Sequence, residues 1–386
     1  MGKSKNFVLV FILIMTVGTI CIQPINGQSQ EVTINTDGEV SPLSALIHQT
    51  GNLYTLTANI SSPLTIEANN IVVNGGNYTI KGPNQNQNGT AINLLASNVT
   101  VKNFILINWY TGISGMGNNN TITTNEFINN SQSIVIHGHD YHVNNNAVSN
   151  SKTAILLDTG SIQPTGNNNL VTQNQITNNF LAFNATNSNG TIIRENNVVN
   201  STFILALSDN ITNTILYENN FANAKGVLDV PSPFPLIVIA PFTPNVIPIS
   251  PAGQWDNHTV GNYWDNYLAS YPKATEIDHT NTGNMPYIIN ITTNYSFSVS
   301  GHTPGSQTWA ISGVAVVATA IDNYPLMSPI SIPAITLTQP ETALSTSIAV
   351  YLLSALVVVL IVVTVSLLLF RRHRKTALLR EQRHMA

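Results

Sequence analysis

Ile122-Thr123-Thr124-Asn125-Glu126-Phe127 is one of six similar stretches in this chain. Each opens on a β-branched or apolar residue, carries an asparagine three places on and closes on an apolar residue. The others are 100–105 (TVKNFI), 143–148 (VNNNAV), 171–176 (VTQNQI), 193–198 (IRENNV) and 216–221 (LYENNF). Their closing residues, Ile105, Phe127, Val148, Ile176, Val198 and Phe221, recur at intervals of 22, 21, 28, 22 and 23. The long interval marks an insertion around 160–167. A second apolar run recurs between them, at 91–94, 133–136, 154–157 and 203–206.

Short β-branched strands separated by Asn and Gly corners, at a period of about 22 residues, predict an all-β, right-handed parallel β-helix. Each coil should hold two or three strands, and coils should stack about 4.8 Å apart. Asparagine tolerates the left-handed backbone of tight corners. At equivalent corners its side chains can also hydrogen-bond along the axis as a ladder. The predicted ladder is Asn103, Asn125, Asn146, Asn174, Asn196 and Asn219. A helical solenoid is excluded because no window sustains apolar residues at helical spacing.

The ends predict where the chain sits. Residues 1–27 read as a secretory signal peptide: a short basic start, an apolar run over 7–22, and Gly27 before the cut. Cys21 is the single cysteine, so the mature chain would carry no disulfide. Residues 348–370 form an uncharged apolar segment long enough to be a transmembrane α-helix. Arg371, Arg372, Arg374 and Lys375 follow it and place the 371–386 tail in the cytoplasm. The expectation is a single-pass type I protein of the cell membrane, its ectodomain extracellular or periplasmic. Between these ends the reading gives an N-terminal cap (28–61), the β-helix (62–230), a Pro-rich excursion (231–253), a C-terminal capping coil (254–330) and a linker (331–347). The excursion holds seven prolines over 231–251, and proline is a poor ladder strand.

Only 8% of residues are charged, and the net charge is -4. That small value hides two opposed parts. Residues 28–342 carry six Lys and Arg against seventeen Asp and Glu, whereas the tail from Arg371 has six basic residues and Glu381. An acidic outer domain repels polyanions, which excludes nucleic acid as a partner. Two apolar blocks are too few for a polytopic transporter.

Three segments near the end of the outer domain carry a family resemblance: Gly261-Asn262-Tyr263-Trp264-Asp265-Asn266-Tyr267, Met285-Pro286-Tyr287-Ile288-Ile289 and Asp322-Asn323-Tyr324-Pro325-Leu326-Met327. Together with the coils and the opening stretch 63–82, they resemble the NosD-type right-handed β-helix family over about residues 53–329. The resemblance implies an extracytoplasmic protein, of a family named for copper-enzyme maturation that includes many surface proteins. Where family members often carry an acidic, glycine-rich loop, this chain reads Asp278-His279-Thr280-Asn281-Thr282-Gly283-Asn284. Calcium needs several carboxylates, so the loop gives no calcium expectation. Tyr263, Trp264, Tyr267 and Tyr324 are expected to pack across the last coil.

For metal, His137, His139 and His142 are the densest set of possible ligands; imidazoles suit copper or zinc, and the competing reading is plain surface or corner residues. For catalysis, the paired carboxylates of pectin hydrolases are missing. Asn35-Thr36-Asp37 stands in the presumed cap without partners, and none of Lys81, Lys102, Lys152, Arg194, Lys225 and Lys273 lies beside an acidic cluster. A site assembled across coils would draw on scattered acids, Glu126, Asp140 and Asp158 for example; with the hydrolase and lyase residue sets missing, the expectation is that the chain is not an enzyme. Glycosylation sequons stand at Asn59, Asn77, Asn88, Asn98, Asn119, Asn129 and Asn184, and at Asn189, Asn200, Asn210, Asn257, Asn290 and Asn294. The expected role is structural, or binding toward glycans or surface proteins. Copper handling is the alternative, and carbohydrate cleavage, by fold analogy, the second alternative.

Overall fold

The computed structural model describes residues 31–158 except 44, 168–229 except 187, 208–213 and 225, 253–300, 308–337 except 336, and Val365, Ser366 and Arg371. Residues 291–300 and 308–319 are described by their backbone alone. The chain falls into two units, Met1–Leu337 and Thr338–Ala386. The first is built from three long sheets of stacked strands, almost all paired in parallel. This is a parallel β-helix, with three strands in each turn.

One coil shows the plan. Thr100–Lys102 lies in a nine-stranded sheet, Ile105–Ile107 in an eight-stranded sheet and Thr111–Gly115 in a twelve-stranded sheet. We call these sheets 2, 3 and 1. The next coil repeats them at Thr121–Thr123, Glu126–Ile128 and Gln132–Ile136, each paired in register with its predecessor. Alternation along a strand turns the middle residue inward. Val101, Ile122, Val143, Val171, Ile193 and Leu216 therefore form one fully buried file, and Leu106, Phe127, Val148, Ile176, Val198 and Phe221 another. Large rings are housed by small neighbours. A Cβ on Gly115 would lie 2.5 Å from the Tyr141 hydroxyl, so only glycine fits below that ring.

Two expectations shift by register. Leu106, not Ile105, stands against Phe127, so the first interval is 21 residues rather than 22. The coils also begin earlier than residue 62. Val32–Ile34 pairs in parallel with Leu64–Ile66, Leu53–Leu56 pairs with Val72–Asn74, and Ile60 bridges to Ile80. The stretch read as a cap thus contributes a strand to each of sheets 1 and 2. It closes them with antiparallel edges at Val40–Ser41 and Ile47–Thr50.

At the far end, the second and third family-like segments are the feet of one hairpin. Tyr287–Ser300 pairs antiparallel with Thr308–Asp322, placing Tyr287 opposite Asp322. The hairpin joins sheet 1 beside Val227–Asp229. The chain then runs back over the outside of sheet 3. Asn220 donates to the Ile330 carbonyl (2.8 Å) and accepts from its N–H (2.9 Å). Gln175 donates to the Pro333 carbonyl at 2.9 Å. The first residues of the expected linker are therefore fastened to the β-helix. The signal-peptide stretch, the insertion at 160–167 and the excursion except Gly253 lie outside the described residues. So does the expected spanning segment apart from Val365 and Ser366, both helical. Among the described residues no helix is long and apolar enough to cross a membrane.

Candidate functional site

Each coil turns three corners, and every corner uses two residues with opposite duties. The first sits in the left-handed backbone region and faces outward. Between sheets 3 and 1 that residue is Asn108, Asn129, Asn150, Asn178, Asn200 and Asn223 in successive coils, with φ between 51° and 63°. Asparagine takes this conformation more readily than most residues with a Cβ. The second residue turns inward and, where it is asparagine, satisfies backbone groups that the bend strips from the sheets.

Between sheets 2 and 3 the inward residue is Asn125, Asn146, Asn174, Asn196 and Asn219, all fully buried. Asn174 Oδ1 accepts from the Asn146 N–H (3.0 Å) and side-chain amide (3.1 Å). Its own amide donates to the carbonyls of Val143 and Thr172 and to Asn196 Oδ1. The same pattern repeats at each step, so buried polar groups are satisfied in series. The ladder expected at five of the six positions is present, and it runs further. Asn219 donates at 2.8 Å to Asn262 Oδ1, 43 residues on, so the stack continues with a residue from beyond the Pro-rich stretch of the sequence. Asn103 differs. It stands one residue earlier in its coil, with φ 58°, and its place in the ladder is taken by Phe104, whose N–H donates to Asn125 Oδ1. Asn103 instead joins an outer file, bonded to Asn74 and Thr124.

The ladder ends on an acid. Asp322 is fully buried. It accepts from the Asn262 N–H (2.7 Å), the Trp264 indole (2.9 Å) and the Tyr324 N–H (3.1 Å). Burial pushes its carboxyl up to about 7, against the opposing pull of those donors. Gly261 leaves it room, since a Cβ there would meet Asp322 Oδ1 at 1.8 Å. A second buried carboxylate, Asp256, accepts from the backbone and side chain of Asn323 and from the His258 N–H. Around them Trp264 stacks on Tyr287 with ring centres 4.4 Å apart, and Phe221 and Trp255 close the group. Trp264 and Tyr267 are buried as expected. Tyr263 and Tyr324 are half-buried and make no ring contact among the described residues; Trp255, Tyr271 and Tyr287 supply the packing instead.

No family model matches this chain. Comparison with the curated proteins and with the solved structures also returns no match. The functional reading therefore rests on the residues themselves.

The three histidines occupy different positions on one coil. His137 follows the strand Gln132–Ile136 and is half-buried. His139 is at the corner, its Nδ1 2.6 Å from Asp140 Oδ2, and His142 points outward from the strand His142–Asn144. Among the described residues no three His, Cys, Asp or Glu side chains come together as a metal site, so the chain offers no formed copper cradle there. Glu126 stands on the outer face of sheet 3, where burial raises its carboxyl, and Asp140 stands at the corner between sheets 1 and 2. Different sides of the coil thus carry them; the side chain of Asp158 lies outside the described set.

The sequons divide by place. Asn77, Asn98, Asn119, Asn129 and Asn200 hold left-handed positions. The residue after Asn119 and after Asn129 is a buried asparagine. Asn59 uses its carbonyl oxygen on the Thr79 N–H, Asn184 lies within the strand Leu181–Thr186, and Asn189 sits at a half-buried bridge position. Asn88 and Asn290 are exposed. In the Asn257 sequon the side-chain carbonyl accepts from Thr259 N–H and Oγ1 and from Val260 N–H. Asn210 and the side chain of Asn294 lie outside the described residues.

Proposed function

We propose that this chain is a cell-surface, single-pass membrane protein that presents a NosD-like β-helix outward as a structural and binding scaffold. The reading is carried by one observation: an in-register stack of coils with a continuous buried amide ladder and outward corners made largely of neutral asparagine. Such a stack is rigid, and solenoids offer extended ligands a regular surface. The acidic outer stretch, the uncharged segment 348–370 and the basic tail support the topology. The GNYW, PYII and DNYPLM segments support the family likeness, because in the fold all three converge on Asp322 and Trp264.

Protease shaving of intact cells tests this. Peptides from within 28–337 should be released while those from 371–386 stay with the membrane fraction. Recovery of the whole chain from the soluble fraction contradicts the reading.

A further inference from the structure

The corner between sheets 3 and 1 differs from the other two in combining a file of asparagines with exposed aromatic rings. Its six left-handed asparagines are separated by one coil step each, about 4.8 Å. At the ends their side chains pair off: Asn129 donates to Asn108 at 2.7 Å and Asn223 to Asn200 at 2.8 Å. In the middle, Asn150 and Asn178 are exposed and make no side-chain hydrogen bond among the described residues. Each therefore keeps two amide donors and a carbonyl acceptor for a ligand.

Two residues further along every coil stands a second file: Tyr110, Ser131, Lys152, Phe180 and Thr202. Main-chain bonds hold it in register, from Gln132 N–H to the Tyr110 carbonyl (2.7 Å), Thr153 to Ser131 (2.9 Å) and Leu181 to Lys152 (3.0 Å). Tyr110 is 37% and Phe180 43% exposed, which is unusual for rings in a chain whose other large apolar side chains mostly fill the core. They stand three coil steps apart, about 14 Å along the axis. Phe180 is braced edge-on by Phe203, with ring centres 5.4 Å apart. Lys152 is exposed between them.

We propose that this corner is a binding track for a linear, neutral polysaccharide lying along the β-helix axis. The aliphatic C–H face of a sugar ring packs on an aromatic ring, and sugar hydroxyls need groups that both donate and accept. Tyr110 and Phe180 provide the two platforms; Asn150, Asn178 and Lys152 provide the polar contacts between them. The corner backbone is fixed from within by the buried Asn130 and Asn179 side chains, which bond the Trp109 and Ser151 N–H groups and the Leu106 and Val148 carbonyls, so little ordering is lost on binding. The acidic character of the outer domain selects a neutral chain over a polyanion. A ligand must span both platforms, so affinity should rise with chain length until it does. The inference rests on the outward display proposed above.

The test titrates the full chain in detergent with three neutral hexasaccharides, cellohexaose, hexa-N-acetylchitohexaose and mannohexaose, and with the matching disaccharides. At least one hexasaccharide should bind, more tightly than its disaccharide. Tyr110→Ala/Phe180→Ala should weaken that binding by about tenfold or more. Lys152→Met should weaken it by about threefold, and Tyr110→Phe should retain it. The melting temperature serves as the folding control. Wild-type affinity in the double variant would overturn this site while leaving glycan binding elsewhere. Absence of binding to all three hexasaccharides would overturn the inference and leave the scaffold reading standing. A failed shaving experiment would remove the surface topology without touching the titration.

Discussion

Asn145 and Asn146 are neighbours in sequence and opposites in the fold. Asn145 takes a left-handed backbone (φ 52°) and is part of the outer surface. Asn146 is fully buried and bonds to Asn174, to the Ile122 and Asn144 carbonyls and, as acceptor, to Asn125. The outer residue is chosen for the backbone shape it permits, the inner one for the donors and acceptors it supplies. One amino acid does both because its side chain is short, neutral and carries both kinds of group. The same division holds at Asn119 and Asn120, Asn129 and Asn130, Asn168 and Asn169, and Asn178 and Asn179.

Substitutions should separate the two duties. The largest effect is expected inside. Asn174→Ala leaves the Asn146 N–H without its acceptor and removes one donor each from the Val143 and Thr172 carbonyls. A stranded buried donor costs about 1–3 kcal/mol, so denaturant unfolding should show a loss in that range. A loss below about 1 kcal/mol would mean the ladder is not the polar spine of the fold.

The ladder's terminus should come next, with a dependence on pH that its interior lacks. The Asp322 carboxyl is raised by burial to about 7, above the ordinary carboxylate value of about 3.9. The folded state therefore holds the proton more tightly than the unfolded state. Its contribution to stability is full below about pH 4 and is lost as pH rises through about 7. Thermal melts followed by tryptophan fluorescence should fall between pH 5 and pH 8, since Trp255 and Trp264 both lie at this end. Asp322→Asn should flatten that slope; an unchanged slope would assign it to other groups.

The smallest effects belong outside. Asn145→Ala forces a left-handed alanine, which costs about 1 kcal/mol. Asn145→Gly should lie within a few tenths of wild type. Equal losses for Asn145→Ala and Asn146→Ala in matched denaturant curves would erase the distinction between the two files.

The parallel β-helix was legible because its signals are local and repeated. A fixed period, β-branched triplets and corner asparagines need no tertiary knowledge, and five of the six ladder residues follow from them. The register at Asn103 was harder. Phe104 replaces asparagine in the first regular coil, so a pattern centred on Asn shifted that coil by one residue. The pairs Asn119-Asn120, Asn129-Asn130, Asn145-Asn146 and Asn178-Asn179 carry the missing signal, since the second member of each is the buried one. The end of the ladder is a tertiary fact. Asn262 lies 43 residues and a Pro-rich excursion beyond Asn219, and Asp322 reaches it from the far foot of a long hairpin. The aromatic capping group was visible as the two family-like segments that hold Trp264 and Tyr287; which rings touch was decided by the hairpin register, not by spacing. The histidines show the converse. Close spacing in sequence placed them at a strand end, a corner and an outward strand position, because a β-helix changes direction every few residues.

Hydrogen exchange of asparagine side-chain amides, resolved by NMR on the labelled chain, tests the central claim most directly. Slow exchange is expected at Asn125, Asn146, Asn174, Asn196, Asn219 and Asn262, and fast exchange at Asn150 and Asn178. Uniformly fast exchange, or protection that stops at Asn219, would contradict a continuous amide ladder running to Asp322.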